Sequence, residues 1–416
     1  MKNLIGYLGL EIETFGFEYE YSEIIKSMHI DDIIDILRRN YTNQMSVDQN
    51  IKMMFGECYE IIKNMINISL CKNLNDCVQQ LKSVPLNNTY FKDLIKCKII
   101  LMLKYIKSQF QKLPIENKKV SFKDYTVDLF GPVRYNLLKV SLGYTDYENA
   151  DCGDVLDFYQ LDDNYEDSYL NIIFRWNMII NNMHQKLFHH IYIETELVSF
   201  KQFTDKTFEV KCDQIIMTDN VSHDSVKYFC KKLVFANNLD VIRKYDPVYN
   251  EIKPQNFLRI YAKVNKEQSK TFYEKINKQS TLIVNNELQK IIPIRYDDGI
   301  FMIAYSDNDN ADILSHYHND TEENHRFFEK YIQDAMSLPE NSIKIEKVRI
   351  FFWNTGTHYY APMDYTVYKD RFQFIKRAQL PDIQNTFVIG ECVSLNQGWC
   401  NGALESVENI FTEILN

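Results

Sequence analysis

Phe387-Val388-Ile389-Gly390-Glu391, then after a short link Gln397-Gly398-Trp399-Cys400-Asn401-Gly402-Ala403-Leu404-Glu405-Ser406, is the stretch on which the reading of this sequence turns. It predicts a buried strand, a loop, and a closing helix that runs to Leu415. An apolar run ending in Gly-Glu fits a central strand whose last residue lets a ligand approach its backbone. The glycines flanking Trp399 allow main chain to pass close to something flat before the helix starts. A helix N-terminus aimed at a ligand presents free N–H groups and the positive end of the macrodipole, which suits an anionic centre. A strand and helix that merely close a sheet would need neither glycine nor a Trp at an exposed edge.

Upstream, apolar spacing is helical from Tyr21 to about Gln111. The runs are Ile24, Ile25, Met28, Ile33, Ile34, Ile36 and Leu37, then Ile51 through Ile66, then residues 91–110. Amphipathic helices of this kind pack a core or cover a neighbour. A shorter helical piece surrounds Gly131-Pro132, residues 151–167 read as an acidic surface loop, and residues 169–187 read as another helix. Alternation and β-branched residues then predict strands at residues 190–193, 196–200, 208–210 and 213–218. Further strands are expected at 256–264, 288–296, 300–306 and 344–353, with a helical pair over 309–336. The predicted class is α/β plus α+β.

Composition narrows the function classes. With 45% hydrophobic residues and 28 Tyr, the chain is globular and long enough for two cores. Its formal net charge of −10 argues against a nucleic-acid partner or an anionic membrane surface. No apolar run reaches membrane-spanning length. The nine cysteines are scattered, with no CxxC pair, so reduced thiols, a cytoplasmic setting and no metal site are expected.

The C-terminal stretch resembles the flavin-contacting motif of the FAD-dependent amine oxidase family: a strand ending in Gly-Glu or Gly-Asp, then Gly-aromatic-x-x-Gly-Ala, then a helix. The resemblance covers most of the chain and is closest to versions from large DNA viruses. It implies an incomplete FAD/NAD(P)-binding, Rossmann-like domain with an amine-oxidase-type substrate domain. The implied segments are 1–150, mainly helical and on the substrate side; 151–235, part of the cofactor domain; 236–375, the α+β substrate domain; and 376–416, the flavin-facing strand and helix. It implies cofactor contacts at Gly390, Glu391, Gly398, Trp399, Gly402 and Ala403, and an adenine contact from the backbone of Val198.

The implied activity is oxidation of a small amine by hydride transfer to flavin N5, with O2 as acceptor. Aromatic walls would hold the amine. Trp399 supplies one, and the segment Trp353-Asn354-Thr355-Gly356-Thr357-His358-Tyr359-Tyr360-Ala361-Pro362 the other, through Tyr359 first and His358 or Tyr360 next. No Cys stands in that segment, so FAD would be held non-covalently. Arg259 takes the place of the family's lysine near flavin N5, with Lys263 close by; Arg keeps the charge with a different fork and hydration.

A second departure is larger. A dinucleotide-binding unit needs GxGxxG to bring backbone against the pyrophosphate. No two of the 12 glycines are separated by one residue, so the motif is impossible in this chain. Three readings stay open. A second polypeptide supplies the missing half, and would then cover the sheet edge left exposed; the chain is a non-catalytic structural or interaction protein on an oxidase scaffold; or a divergent FAD site uses only the remaining contacts. Retention of the Gly390-Glu391 and Gly398-Trp399 phrases favours a site still shaped for flavin.

Overall fold

Short polar residues start the helices. Side chains of Ser22, Ser46, Asn73, Ser121, Asp151, Thr321 and Asp370 each accept a backbone N–H of the first turn, satisfying donors that have no intrahelical partner. Ser46 and Gln49 complete a reciprocal capping box. This computed structural model describes residues 13–15, 18–158, 171–173, 176–217, 221–236, 239–278 and 280–416. The opening at 1–10 and most of the acidic stretch 151–167 lie outside the described residues.

The strands among the described residues are β1 (Glu13–Phe15), β2 (Glu18–Tyr21), β3 (Asn171–Ile173), β4 (Thr195–Gln202), β5 (Phe208–Met217), β6 (Val221–Cys230) and β7 (Leu233–Phe235). They continue with β8 (Ile252–Val264), β9 (Ser280–Ile283), β10 (Lys290–Arg295), β11 (Ile300–Asp307), β12 (Ile345–Tyr360) and β13 (Thr386–Val388). The chain divides into two units. The first comprises residues 1–15, 170–254 and 355–416; the second comprises 16–169 and 255–354.

In the second unit a six-stranded sheet runs in the order β12-β8-β11-β10-β9-β2. Its central pairings are antiparallel, and β2 joins β9 in parallel. Alternate residues Leu258, Ile260, Phe301 and Ile303 point into one core, closed by Phe328, Ile332 and Ala335 of the helix Glu322–Met336. The helices between Glu23 and Phe110 form a separate core around Ile33, Leu37, Ile51, Ile62, Leu81 and Leu94. That packing corrects the expectation of reduced thiols throughout. Cys58 and Cys97, 39 residues apart, are joined as a disulfide with Cα atoms 6.0 Å apart. The helix Tyr90–Phe110 and the turn Gly56–Cys58 bring them together, which spacing along the chain does not reveal.

Between these helices lies a buried polar cluster. Asp32 accepts from Lys98 Nζ at 2.8 Å and from Arg134 Nε at 3.1 Å, and His29 Nε2 meets Ser141 Oγ at 2.8 Å. Burial pushes the Asp32 carboxyl up, but the two cations win and hold it below its usual range. Burial, aided by Lys98, holds His29 well below 6.5. The unfolded chain therefore binds a proton below that pH that the folded chain refuses, so stability is full above it and falls as pH drops toward the folded value. The urea midpoint should fall between about pH 8 and about pH 5.5, and His29→Gln should flatten that slope. Identical slopes for the two proteins would contradict the assignment.

The first unit holds a three-stranded antiparallel sheet, β4-β5-β6, and a parallel pair, β7 with β13. Its core gathers Phe200, Phe208, Tyr249, Phe374 and Val388. The described chain is thus mixed α and β, with antiparallel and mixed sheets, compatible with an α+β fold. Two strand assignments need correction. Residues 190–193 are not a strand; a short 3-10 turn, Phe188–His190, leads into exposed Ile191, Tyr192 and Ile193. The two pieces expected at 208–210 and 213–218 form one strand, β5, paired along its length with β6.

Candidate functional site

The first unit builds the candidate site where β13 ends. Ile389 N–H donates to Phe235 O at 2.8 Å, the last rung of the parallel pair. Gly390 then adopts φ +126°, a conformation that a side chain would oppose, and its N–H donates to Ser406 Oγ at 2.8 Å. The chain makes a 3-10 turn, Glu391–Val393, and reaches the closing helix Cys400–Leu415 through a second positive-φ glycine, Gly398 at +77°.

Glu391 ties this loop together. Its Oε2 accepts from Gly398 N–H at 2.9 Å and from Thr357 Oγ1 at 3.2 Å, while Oε1 lies 2.6 Å from His358 Nδ1. One carboxylate therefore fixes both the turn before Trp399 and the end of β12. Tyr360 OH adds a bond to Ser394 O at 2.9 Å, and Asn396 Nδ2 one to Glu405 Oε2 at 2.6 Å. Gly402 is buried, and a Cβ there would fall 2.1 Å from Asn396 O, so only glycine lets the helix seat on its own loop. Ala403 N–H closes the first helical turn onto Trp399 O at 3.3 Å.

Trp399 is held but not covered. It is the N-terminal boundary of the 16-residue helix, in an extended conformation, with no side-chain cap, and the residue is 71% exposed. Tyr359, on β12, is half-buried, and burial pushes its phenol up. The strand expected at 344–353 continues as β12 through Tyr360, into the segment expected to face the ring, because Thr355, Thr357, Tyr359 and Tyr360 all suit extended backbone. Val198 sits at a bulge in β4: Leu197 pairs with Cys212 and Ser199 with Lys211, so Val198 has no partner across the ladder. A bulge leaves backbone groups outside the ladder, where a ligand can reach them.

Arg259 belongs to the second unit. Its Nη1 donates to Leu258 O at 2.8 Å and Ser306 O at 3.0 Å, and its guanidinium lies 3.4 Å from the ring centre of Tyr305. Lys263 pairs with Glu346 at 3.3 Å on the surface. The sequence marks Glu391 and the glycines but misses Thr357 and the bond from His358 to Glu391. Those partners are 34 and 33 residues away, and no local spacing encodes them.

Among the described residues no group of three or more His, Cys, Asp or Glu is placed to hold a metal ion, and no helix is long and apolar enough to cross a membrane. No family model matches the chain, and no curated protein matches it.

Proposed function

We propose that this chain is a FAD-dependent, amine-oxidase-like flavoprotein that holds its cofactor non-covalently. A second polypeptide would supply the pyrophosphate-binding half that the glycine positions exclude here. Trp399 carries the reading: a large ring, 71% exposed, fixed between a positive-φ glycine and an uncapped helix start. An uncovered aromatic face on so constrained a loop suits a flat ligand, since contact adds stacking without further ordering of the backbone.

When bound, a flavin supplies the acceptor for a hydride equivalent from the amine carbon. Trp399 and Tyr359 would be aromatic walls for a small amine, and the positive end of the helix at Gly402-Ala403 would favour negative charge on a bound ring. Glu391 keeps Gly398 and Trp399 in place. The bulge at Val198 offers the backbone group for the adenine. A cytoplasmic setting is part of this reading: the seven free cysteines, of which Cys400 is exposed, support it, and the Cys58–Cys97 disulfide counts against it.

A catalytically silent scaffold is the second reading, favoured by two observations. Arg259 is committed to backbone carbonyls, and both Glu391 oxygens already accept from the chain's own donors. Adding monoamines and polyamines anaerobically to the protein with FAD distinguishes the two. Bleaching of the flavin's visible band supports the oxidase; an unchanged spectrum with bound FAD supports the scaffold.

A further inference from the structure

Lys290 opens β10 and is buried, yet among the described residues its Nζ pairs with no carboxylate and donates to no acceptor. Three half-buried rings surround it instead. Tyr144, Tyr305 and Tyr19 have centroids 4.4, 5.1 and 5.5 Å from Nζ. The position is built by its neighbours. Gly143 ends the helix Pro132–Leu142 at φ +70°, and a Cβ there would come within 3.0 Å of Lys290 Cε. A side chain there would press on the lysine stem and would be strained at that φ.

The surroundings disfavour a second charge. Arg259 shares the Tyr305 ring, at 3.4 Å from its centre. The nearest acids come from two elements, Asp146 on the loop after that helix and Asp307 at the end of β11. Asp307 already accepts from Thr145 N–H at 2.9 Å, from Thr145 Oγ1 and from Gln289 Nε2 at 3.0 Å, and burial pushes its own carboxyl up. In the same polar cluster, Oε1 of Gln289 and of Gln255 are buried with no partner among the described residues. Burial pushes the Lys290 ammonium down to about 8, against the pull of Asp307 and Asp146. A desolvated lysine beside another cation keeps a usable fraction of free amine near neutral pH.

We propose that Lys290 is a nucleophilic amine that captures a small aldehyde or ketone as an imine within the second unit. The Nζ lone pair attacks the carbonyl carbon, and the C=O π pair moves to oxygen, which takes the proton released by nitrogen. Loss of water then leaves the C=N bond, so amine plus carbonyl gives imine plus water with no change of oxidation state. Tyr19, Tyr144 and Tyr305 wall the site, and the unpartnered Gln oxygens accept from the hydroxyl of the addition intermediate. The inference does not depend on flavin.

The test incubates the protein with propionaldehyde and cyanoborohydride, which reduces the imine to a stable secondary amine, followed by peptide mapping. Lys290 should be labelled at least about tenfold faster than exposed Lys263 near neutral pH, because less proton must be removed to free its amine. Its labelling should rise with pH and level off above about 8, as Arg259, Asp146, Asp307 and the three tyrosines set its titration. Lys290→Arg should remove that adduct alone. Labelling spread in proportion to exposure, or an unlabelled Lys290 in the wild-type map, would overturn the proposal and leave a cation held by tyrosines. The wild-type map decides even if the variant fails to fold.

Discussion

Phe301→Ala should lower the melting temperature by roughly 6–20 °C, corresponding to about 3–5 kcal/mol lost from the second unit. Phe301 is fully buried on β11, with its ring 5.1 Å from Phe272, 5.5 Å from Tyr273 and 6.0 Å from Tyr296. Truncation removes the transfer energy of the ring and leaves a cavity among the three rings packed against it. The loss is a large fraction of the roughly 5–15 kcal/mol by which a typical domain is stable. It should also loosen β11, which positions Tyr305 and Asp307. Thermal unfolding followed by circular dichroism checks this; a shift below about 2 °C would show that the sheet core is not packed as described.

Glu391→Ala should be the most damaging change in the first unit outside its core. Three donors, on Gly398, Thr357 and His358, lose their shared acceptor at once. Leaving buried donors unsatisfied costs about 1–3 kcal/mol each, reduced here because Glu391 is only partly buried and water can enter, so about 2–4 kcal/mol in all is expected. Glu391→Gln keeps the shape and one acceptor oxygen and should cost about 1 kcal/mol. Urea denaturation of both variants measures the difference. Equal midpoints for alanine and glutamine would mean that the carboxylate does not tie the loop to β12. Because Gly398 is the residue before Trp399, the alanine variant should also lose flavin affinity by at least about tenfold.

Much of this arrangement was legible in the sequence where local chemistry dictates it. The apolar run from Ile300 to Tyr305 marked β11, and the Gly-Glu and Gly-Trp phrases marked the positions where positive φ is required. Other features were hidden because tertiary context overrode pattern. The apolar run Ile191-Tyr192-Ile193 reads as a strand yet pairs with nothing among the described residues, while β6, whose polar residues mask its alternation, forms the longest ladder in the first unit. The short helix Leu74–Lys82 lies inside the stretch expected to be helical, but its bounds were not legible, because one turn of apolar residues, Cys77, Val78 and Leu81, carries little periodicity by itself. At the candidate site the glycines and Glu391 were readable, but not the clamp from Thr357 and His358. Lys290 was invisible as a site, since a lysine beginning a strand looks like surface until three tyrosines from separate elements close over it.

The central claim is that the loop from Gly390 to Ala403 presents Trp399 to the flat ring of a flavin. Titration of the purified protein with FAD, followed by quenching of tryptophan fluorescence and by equilibrium dialysis, tests it most directly. The account predicts saturable binding that weakens at least about tenfold in Trp399→Ala, with unchanged thermal stability because that side chain is mostly exposed. No uptake of FAD by the protein, either alone or with the polypeptide that completes the site, or equal affinity in wild type and variant, would contradict it.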